Sequence, residues 1–318
     1  MRRVDGLDNL PAGLAWPVVT LGTFDGVHLG HRRVIDEVVG WARERRGTAV
    51  IITFEEPPRA VLDGEHPILL TSMPHRLKLL GTLGVDVAVV LDFTRELAAV
   101  TAEEFLSRVL VGGLGVRGIV LGHGSAFGRN REGNEAFLRS RAATLGFELR
   151  TVGAALVDGA PVSSTRVRQA VTSGDLLLAE KLLGRPFSVS GTVVPGDRRG
   201  REMGFPTANL DLHHELMPPD GVYIAEAAVG ELLHPALVSV GTRPTFARER
   251  EGERIVRLVE VFLLDFDGNL YGLDLEARLL RLLRPQERFP DVDSLTRRMQ
   301  DDLSIAREFF RRRPPKNT

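Results

Sequence analysis

Two histidines three positions apart, His28 and His31, stand in the stretch LGTFDGVHLGHRRVI, Leu21–Ile35. An apolar run leads in, Gly22, Gly26 and Gly30 punctuate it, and a helical pattern follows. A turn between a strand and a helix start presents backbone N–H groups and the positive end of the helix dipole, and anions bind there. A spacing of three points both imidazoles the same way on one helical turn. Three chemistries fit. Two histidines can ligate a metal, but a third ligand is needed and none nearby is compelling. They can be structural. Or they can donate to the phosphates of a nucleoside triphosphate during transfer. None of the lysines Lys78, Lys181 and Lys316 lies in a G-x-x-x-x-G-K-[ST] context. In the third reading, phosphate charge is therefore met by His, Arg and backbone.

Two further stretches carry chemistry. VSSTRVR, Val162–Arg168, offers the hydroxyls of Ser163, Ser164 and Thr165 and the charge of Arg166 and Arg168 at an expected helix start. Alone it is a capped helix. In SGTVVPGDRRGREMGFPTANL, Ser190–Leu210, Gly196, Gly200 and Gly204 bracket Arg198, Arg199 and Arg201. A glycine-rich, arginine-bearing loop can wrap phosphates through its N–H groups, although a surface hairpin loop would look the same. Thr207 and Asn209 offer neutral oxygens on either side of Ala208, hard ligands that suit Mg²⁺ together with phosphate oxygens. Further on, Glu260 alternates with Phe262 in a strand pattern. A carboxylate on the inward face of a small barrel is costly unless it works or is paired, and this one could be a general base for a hydroxyl nucleophile. The nearby DFDGN has Gly268 too early for an EF-hand loop and reads as a hairpin turn.

The elements that must position these residues fall into two textures. Apolar runs at Val18–Leu21, Ala49–Phe54, Val85–Leu91, Gly118–Leu121 and Leu149–Val152 alternate with helical patterns at His31–Arg46, Pro74–Gly84, Thr101–Gly113 and Asn134–Gly146. That alternation predicts a Rossmann-like α/β domain, a parallel sheet covered on both faces, with its ligand at the carboxyl ends of the strands. Two short helices, Ser164–Ser173 and Asp175–Leu183, close this half, and Gly184 suits the position after the last turn. Beyond it come Ser188–Val194, Val222–Ala228, Ala236–Val240, Arg257–Leu264 and Leu275–Leu283, punctuated by Pro219-Asp220-Gly221 and Asp267-Gly268-Asn269. These predict a small antiparallel β-barrel or sandwich, followed by a helix over Val292–Arg311. The expected domains are 1–184 and 185–318.

Composition bounds the partners. The chain has 318 residues, 43% hydrophobic and 26% charged, with a formal net charge of -1, so it lacks the electrostatic footprint of a nucleic-acid binder. It contains no cysteine, which excludes disulfides and thiolate metal sites. No apolar run approaches the roughly 18 residues that a membrane span needs. Asp5 and Asp8 interrupt any leader-like stretch. The expectation is a cytoplasmic protein, monomeric or weakly homo-oligomeric, acting on small molecules rather than on nucleic acid or membrane.

The motifs also carry a resemblance. G-x-F-D-G-x-H-x-G-H together with the Ser-Ser-Thr-x-x-Arg-type loop is similar to the nucleotidyltransferase superfamily. The Gly196–Asn209 segment, PDGVY, VSVGTRPTF, VEVFLLDF and RPQERFPDVDSL look like the riboflavin kinase module. Nearly the whole chain, with its blocks in order, resembles the bacterial bifunctional riboflavin kinase/FAD synthetase family. The resemblance implies ATP and Mg²⁺ as partners in catalysis and riboflavin, FMN and FAD as substrates or products. It implies that Glu260 is the base, that Thr207 and Asn209 hold Mg²⁺, and that Gly196, Gly200, Arg201 and Gly204 cover ATP phosphates. In the first half, His28 and His31 would steady the α-phosphate. Gly22, Phe24, Gly26, Ser164, Thr165 and Arg168 would hold the triphosphate. Phe127, Phe205, Arg284 and Phe289 are candidates for contacting flavin. Two blocks depart from the family pattern: TFEEPP carries Glu56 for Pro and Pro57 for His, and GHGSAFG carries Gly124 for a polar residue and Ser125 for Phe. The first half therefore reads either as an adenylyltransferase with altered contacts or as a degenerate or retargeted half beside an active kinase.

Overall fold

The computed structural model describes residues 1–64, 66–196, 204–212, 216–230, 232–242 and 257–313. The chain forms two compact units, Met1–Ser164 and Thr165–Thr318.

The first unit is built on six parallel strands: β1 (Arg2–Asp5), β2 (Val18–Leu21), β3 (Ala49–Phe54), β4 (Val87–Leu91), β5 (Gly118–Gly122) and β6 (Glu148–Val152). They lie in the order β1-β4-β3-β2-β5-β6. Every residue of β3 and β4 is buried, as expected for strands covered on both faces. One face packs Val18, Ile51 and Ala88 against Ile35, Trp41 and Leu80, which come from α1 (Leu29–Glu44) and from the helix that precedes β4. The other packs Val19, Val50 and Ile52 against Phe105, Leu106 and Leu138. From β2 the chain moves outward through β3 and β4, then returns to add β5 on the other side of β2. In open α/β sheets, ligands bind outside the carboxyl ends of the strands at such a reversal. The loop carrying His28 leaves β2 at that point.

The remaining helices of this unit are short. They are α2 (Pro58–Leu62), α3 (Met73–Thr82), α4 (Arg95–Ala99), α5 (Ala102–Glu104) and α6 (Glu135–Leu145). The helix expected over Thr101–Gly113 starts with a Thr101–Glu104 capping box but then widens into a π-helix over Phe105–Gly113. Strand β1 has no counterpart in the sequence pattern, because RRVD shows one apolar residue among three charged ones. A small hairpin, β7 (Leu156–Val157) and β8 (Ala160–Pro161), is likewise absent from that pattern.

The second unit begins with α7 (Ser164–Thr172), which itself starts on the last residue of the first, and α8 (Leu176–Leu183). Gly184 takes the left-handed conformation just past α8, as its position predicts. The compact units divide after the first residue of α7, whereas the texture of the sequence changes after α8. Contacts explain the difference, since α8 packs on two strands of the second unit, Phe187–Val194 and Asp274–Pro285.

Those two strands belong to a closed antiparallel barrel of β9 (Phe187–Val194), β10 (Ala208–Leu212), β11 (Gly221–Val229), β12 (Leu232–Thr242), β13 (Arg257–Leu263) and β14 (Asp274–Pro285), in the cyclic order β10-β13-β12-β11-β14-β9. Strand β10 falls within the segment whose composition suggests a phosphate loop. A final helix, α9 (Val292–Arg312), is capped by Asp291 accepting from Ser294 N–H. It covers one outer flank of the barrel, where Ala306 joins Ile224, Leu237 and Leu264.

Candidate active sites

The loop between β2 and α1 is held in an unusual backbone shape. Phe24, Gly26 and Val27 have φ of 47°, 81° and 41°. Left-handed geometry suits glycine but costs a branched or bulky residue on the order of 1–3 kcal/mol, and it persists only where the surroundings impose it. A Cβ on Gly26 would also lie 2.7 Å from Leu70 Cδ1, so the loop presses closely on the segment ahead of α3.

His28 caps α1. Its Nδ1 accepts the His31 N–H at 3.2 Å. An accepting Nδ1 carries no proton, so the neutral ring carries its proton on Nε2 as a donor. The two imidazoles stack with centroids 3.6 Å apart and planes 11° from parallel, and Phe24 meets His31 edge-on at 5.2 Å. The structure thus brings His28, His31 and Phe24 together around the helix start. Among the described residues no group of three or more His, Cys, Asp or Glu side chains is placed to hold a metal ion, and the geometry here is that of a helix cap.

Beneath the loop lies a buried polar network that sequence reasoning did not single out. Asp25, 2% exposed, accepts from Leu70 N–H at 3.0 Å, Thr71 N–H at 3.0 Å and the Thr71 hydroxyl at 3.2 Å. Thr71 Oγ1 in turn accepts from Gly26 N–H at 3.0 Å. Arg76, 1% exposed, lies 3.9 Å from Asp25 and donates to the Phe54 carbonyl at 3.0 Å. Burial pushes the Arg76 guanidinium below its usual range, and the Asp25 charge acts against that shift. Thr53 adds a bond to the Thr23 carbonyl at 3.1 Å. The signal was present in part, since Asp25 belongs to the G-x-F-D-G motif. Arg76 looks like an ordinary surface arginine on a helix.

Ser164 also joins this site, its hydroxyl donating to the Asp25 carbonyl at 3.1 Å. Thr165 lies exposed in the first turn of α7, and Arg168 is one helical turn beyond Ser164. Gly22 continues the ladder of β2, its N–H bonded to the Ile52 carbonyl. The two departing blocks also have local explanations. Pro57 is the N-cap residue of α2, with Pro58 opening the helix, and Gly124 adopts φ 66° in the loop after β5, where its carbonyl accepts from Arg131. Phe127 corrects an expectation. Its ring is buried between Phe105 and Phe137, so it anchors the loop and offers no open face for stacking.

In the barrel, Asn209 on β10 pairs directly with Glu260 on β13, and Glu260 pairs with Ser239 on β12. The same register row continues through Val222 on β11 to Arg284 on β14. Thr207 immediately precedes β10 and, two residues from Asn209, shares its face. The expected inward placement of Glu260 is corrected. Val259, Val261 and Leu263 are the buried residues of β13, while Glu260 and Phe262 are half-buried on the opposite, outer face. Alternation separates two faces without saying which one the barrel closes around. On the outer wall the carboxylate stays half-buried while Phe262 packs on Phe205 at 5.6 Å.

Gly196 faces this row, since a Cβ there would fall 2.0 Å from Asn209 Nδ2. Gly204 turns the chain at φ 83° just ahead of Phe205. Gly200 and Arg201 lie outside the described residues. Arg284 is engaged by α9. Its guanidinium donates to both Asp302 oxygens, with Nη2 at 2.8 Å, and the pair is buried at 8% and 2% exposure. Phe289 is half-buried, 5.8 Å from the Arg284 guanidinium carbon.

The donor set of this outer wall fits a hard divalent cation. Thr207 and Asn209 supply neutral oxygens on one face, and Glu260 adds a carboxylate beside them. Coordinated phosphate oxygens would complete the shell.

Comparison with known proteins finds relatives for both halves of the chain. The FAD synthetase family model matches residues 14–166 and the riboflavin kinase model residues 183–310. A bifunctional riboflavin kinase/FMN adenylyltransferase of Escherichia coli K12 is 37% identical over 313 residues, 98% of each chain. The Haemophilus influenzae protein of the same name is 34% identical across 98% of this chain and 99% of its own. A solved Streptococcus pneumoniae structure described as a macrolide-efflux protein superposes with a TM-score of 0.81 at 29% identity, covering 96% of this chain and 98% of that one. Among the described residues no helix is long and apolar enough to cross a membrane.

Proposed function

Since the chain belongs to the bifunctional riboflavin kinase/FMN adenylyltransferase family, we propose that the side chains described above divide its two reactions between them, the barrel making FMN and the parallel-sheet unit converting FMN to FAD. The observation that carries the kinase assignment is the direct register pairing of Asn209 with Glu260. A ribityl hydroxyl of riboflavin attacks the γ-phosphorus of ATP. Its proton passes to the Glu260 carboxylate, the bond to the β-phosphate oxygen breaks, and ADP leaves. Thr207 and Asn209 would hold Mg²⁺, which supplies charge neutralisation at the transferring phosphate. Gly196, Gly200, Arg201 and Gly204 cover the ATP phosphates. Phe289 contacts flavin, and Arg284 acts by fixing the segment that carries it.

In adenylyl transfer, a phosphate oxygen of FMN attacks the α-phosphorus of the second ATP and pyrophosphate leaves. That phosphate is already ionised near neutral pH, so the site needs no strong base. Its work is to orient the reactants and to neutralise charge. The Nε2–H of His28, with His31 stacked on it, donates to the α-phosphate. Ser164, Thr165 and Arg168 hold the triphosphate, and Gly22, Phe24 and Gly26 give it backbone access. Lysine is dispensable here because imidazole, guanidinium and backbone donors meet the charge. The modules divide at 184/185, and the chain works in the cytoplasm as a monomer or weak homo-oligomer.

The experiment is chromatographic. Riboflavin, ATP and Mg²⁺ are incubated with the chain, and riboflavin, FMN and FAD are separated over time. FMN followed by FAD supports both assignments. FMN alone, persisting when FMN is the supplied substrate, overturns the assignment of the first unit.

A further inference from the structure

We propose that Thr71, outside both motifs of the adenylyltransferase site, is a positioning residue for adenylyl transfer, its hydroxyl latching the His28 loop in its reactive shape. The inference rests on the assignment of His28 to the α-phosphate. Thr71 does two things at once: Oγ1 donates to the Asp25 carboxylate and accepts from Gly26 N–H. Both partners lie inside the loop, within the bend that runs through Phe24, Gly26 and Val27, all at positive φ. Such a backbone relaxes unless held. The hold comes from the segment just ahead of α3, with Arg76 one turn into that helix and 3.9 Å from the same carboxylate. Three donors and one cation thus converge on Asp25, and the hydroxyl ties this cluster to the backbone of the bend at Gly26. Relaxation of the bend would turn His28, whose ring is fixed at the start of α1 one residue beyond Val27. A displacement of about 1 Å in a group that orients a reacting phosphate costs on the order of a hundredfold in rate.

The test compares Thr71→Val with Thr71→Ser in the full chain, which carries its own control. Riboflavin phosphorylation by the second unit reports that the preparation is sound. Both tryptophans, Trp16 and Trp41, lie in the first unit and pack edge-to-face at 5.5 Å, so tryptophan fluorescence during thermal unfolding follows that unit alone. Thr71→Val is expected to lower kcat for FAD formation from FMN about 10- to 100-fold while leaving KM for ATP and FMN within about threefold. Thr71→Ser, which keeps the hydroxyl, restores kcat to within about threefold of the parent. If Thr71→Val fails to fold, Thr71→Ala takes its place. A parent chain that makes no FAD would overturn the assignment of the first unit itself. With an active parent, the latch is overturned by a kcat within twofold of the parent in the hydroxyl-free variant, by a loss confined to KM, or by no recovery in Thr71→Ser.

Discussion

Asn209 and Glu260, 51 positions apart in the chain, stand directly opposite each other on the neighbouring strands β10 and β13. Directly opposed residues in an antiparallel pair have Cβ atoms roughly 5 Å apart, so one small molecule can touch both. That proximity joins a candidate cation ligand to a candidate base. Replacing Glu260 by Gln removes the proton acceptor and keeps the shape. Riboflavin phosphorylation is expected to fall by about a hundredfold or more, with FAD formation from supplied FMN unchanged. Separate initial-rate assays with riboflavin and with FMN check this.

Gly196 makes a close backbone approach to that row. In Gly196→Ala the new methyl must displace the Asn209 amide, since the two would otherwise stand 2.0 Å apart. The expected result is a higher Mg²⁺ concentration for half-maximal phosphorylation, together with a lower maximal rate. Titrating Mg²⁺ at saturating ATP reads both.

His28 carries two duties that one substitution can separate. Asparagine is a good N-cap, so His28→Asn preserves the start of α1 while losing the distal ring donor. Stability is expected to stay within about 1 kcal/mol of the parent, and FAD formation to drop by on the order of a hundredfold. Tryptophan fluorescence and the FMN-to-FAD assay give the two readouts.

The Arg284–Asp302 pair links β14 to α9 away from water. Breaking a buried pair from one side strands a charge, and Arg284→Met is expected to destabilise the second unit by about 3–5 kcal/mol. Converting both, Arg284→Met with Asp302→Leu, should recover most of that loss. Thermal unfolding followed by far-ultraviolet circular dichroism distinguishes the single from the double replacement.

The sequence is most legible where a site is made locally. The strand-loop-helix around His28 and the strip from Gly196 to Asn209 carry their chemistry within a few residues, so residue type and spacing suffice. Glu260 shows the limit of that reading: its alternation with Phe262 is plain, but the face it occupies depends on how the barrel closes. Its apposition to Asn209 depends on register, a long-range property. Arg76 was hidden because an arginine in a helix that also carries His75 and Lys78 looks like a solvated side chain until its burial is seen. The π-helix at Phe105–Gly113 was hidden because apolar periodicity does not encode a switch in hydrogen-bond pattern. Phe127 shows the converse error, an aromatic beside a glycine-rich loop that turns out to fill the core.

Closure of the barrel has a consequence for how the molecule behaves in a crowded solution. Each of its six strands has a partner on both sides, so none offers an open row of N–H and C=O groups to another chain. The parallel sheet of the first unit ends instead at β1 and β6, and those borders are dressed with charge: Arg2, Arg3 and Asp5 on one, Glu148 and Arg150 on the other. Arg150 is tied to Glu37 at 2.8 Å and to Glu44 at 3.1 Å, and it lies 4.1 Å over Trp41. Any tendency of this protein to self-associate through strand addition should therefore begin at β6 once that arginine is gone, and should leave the barrel untouched.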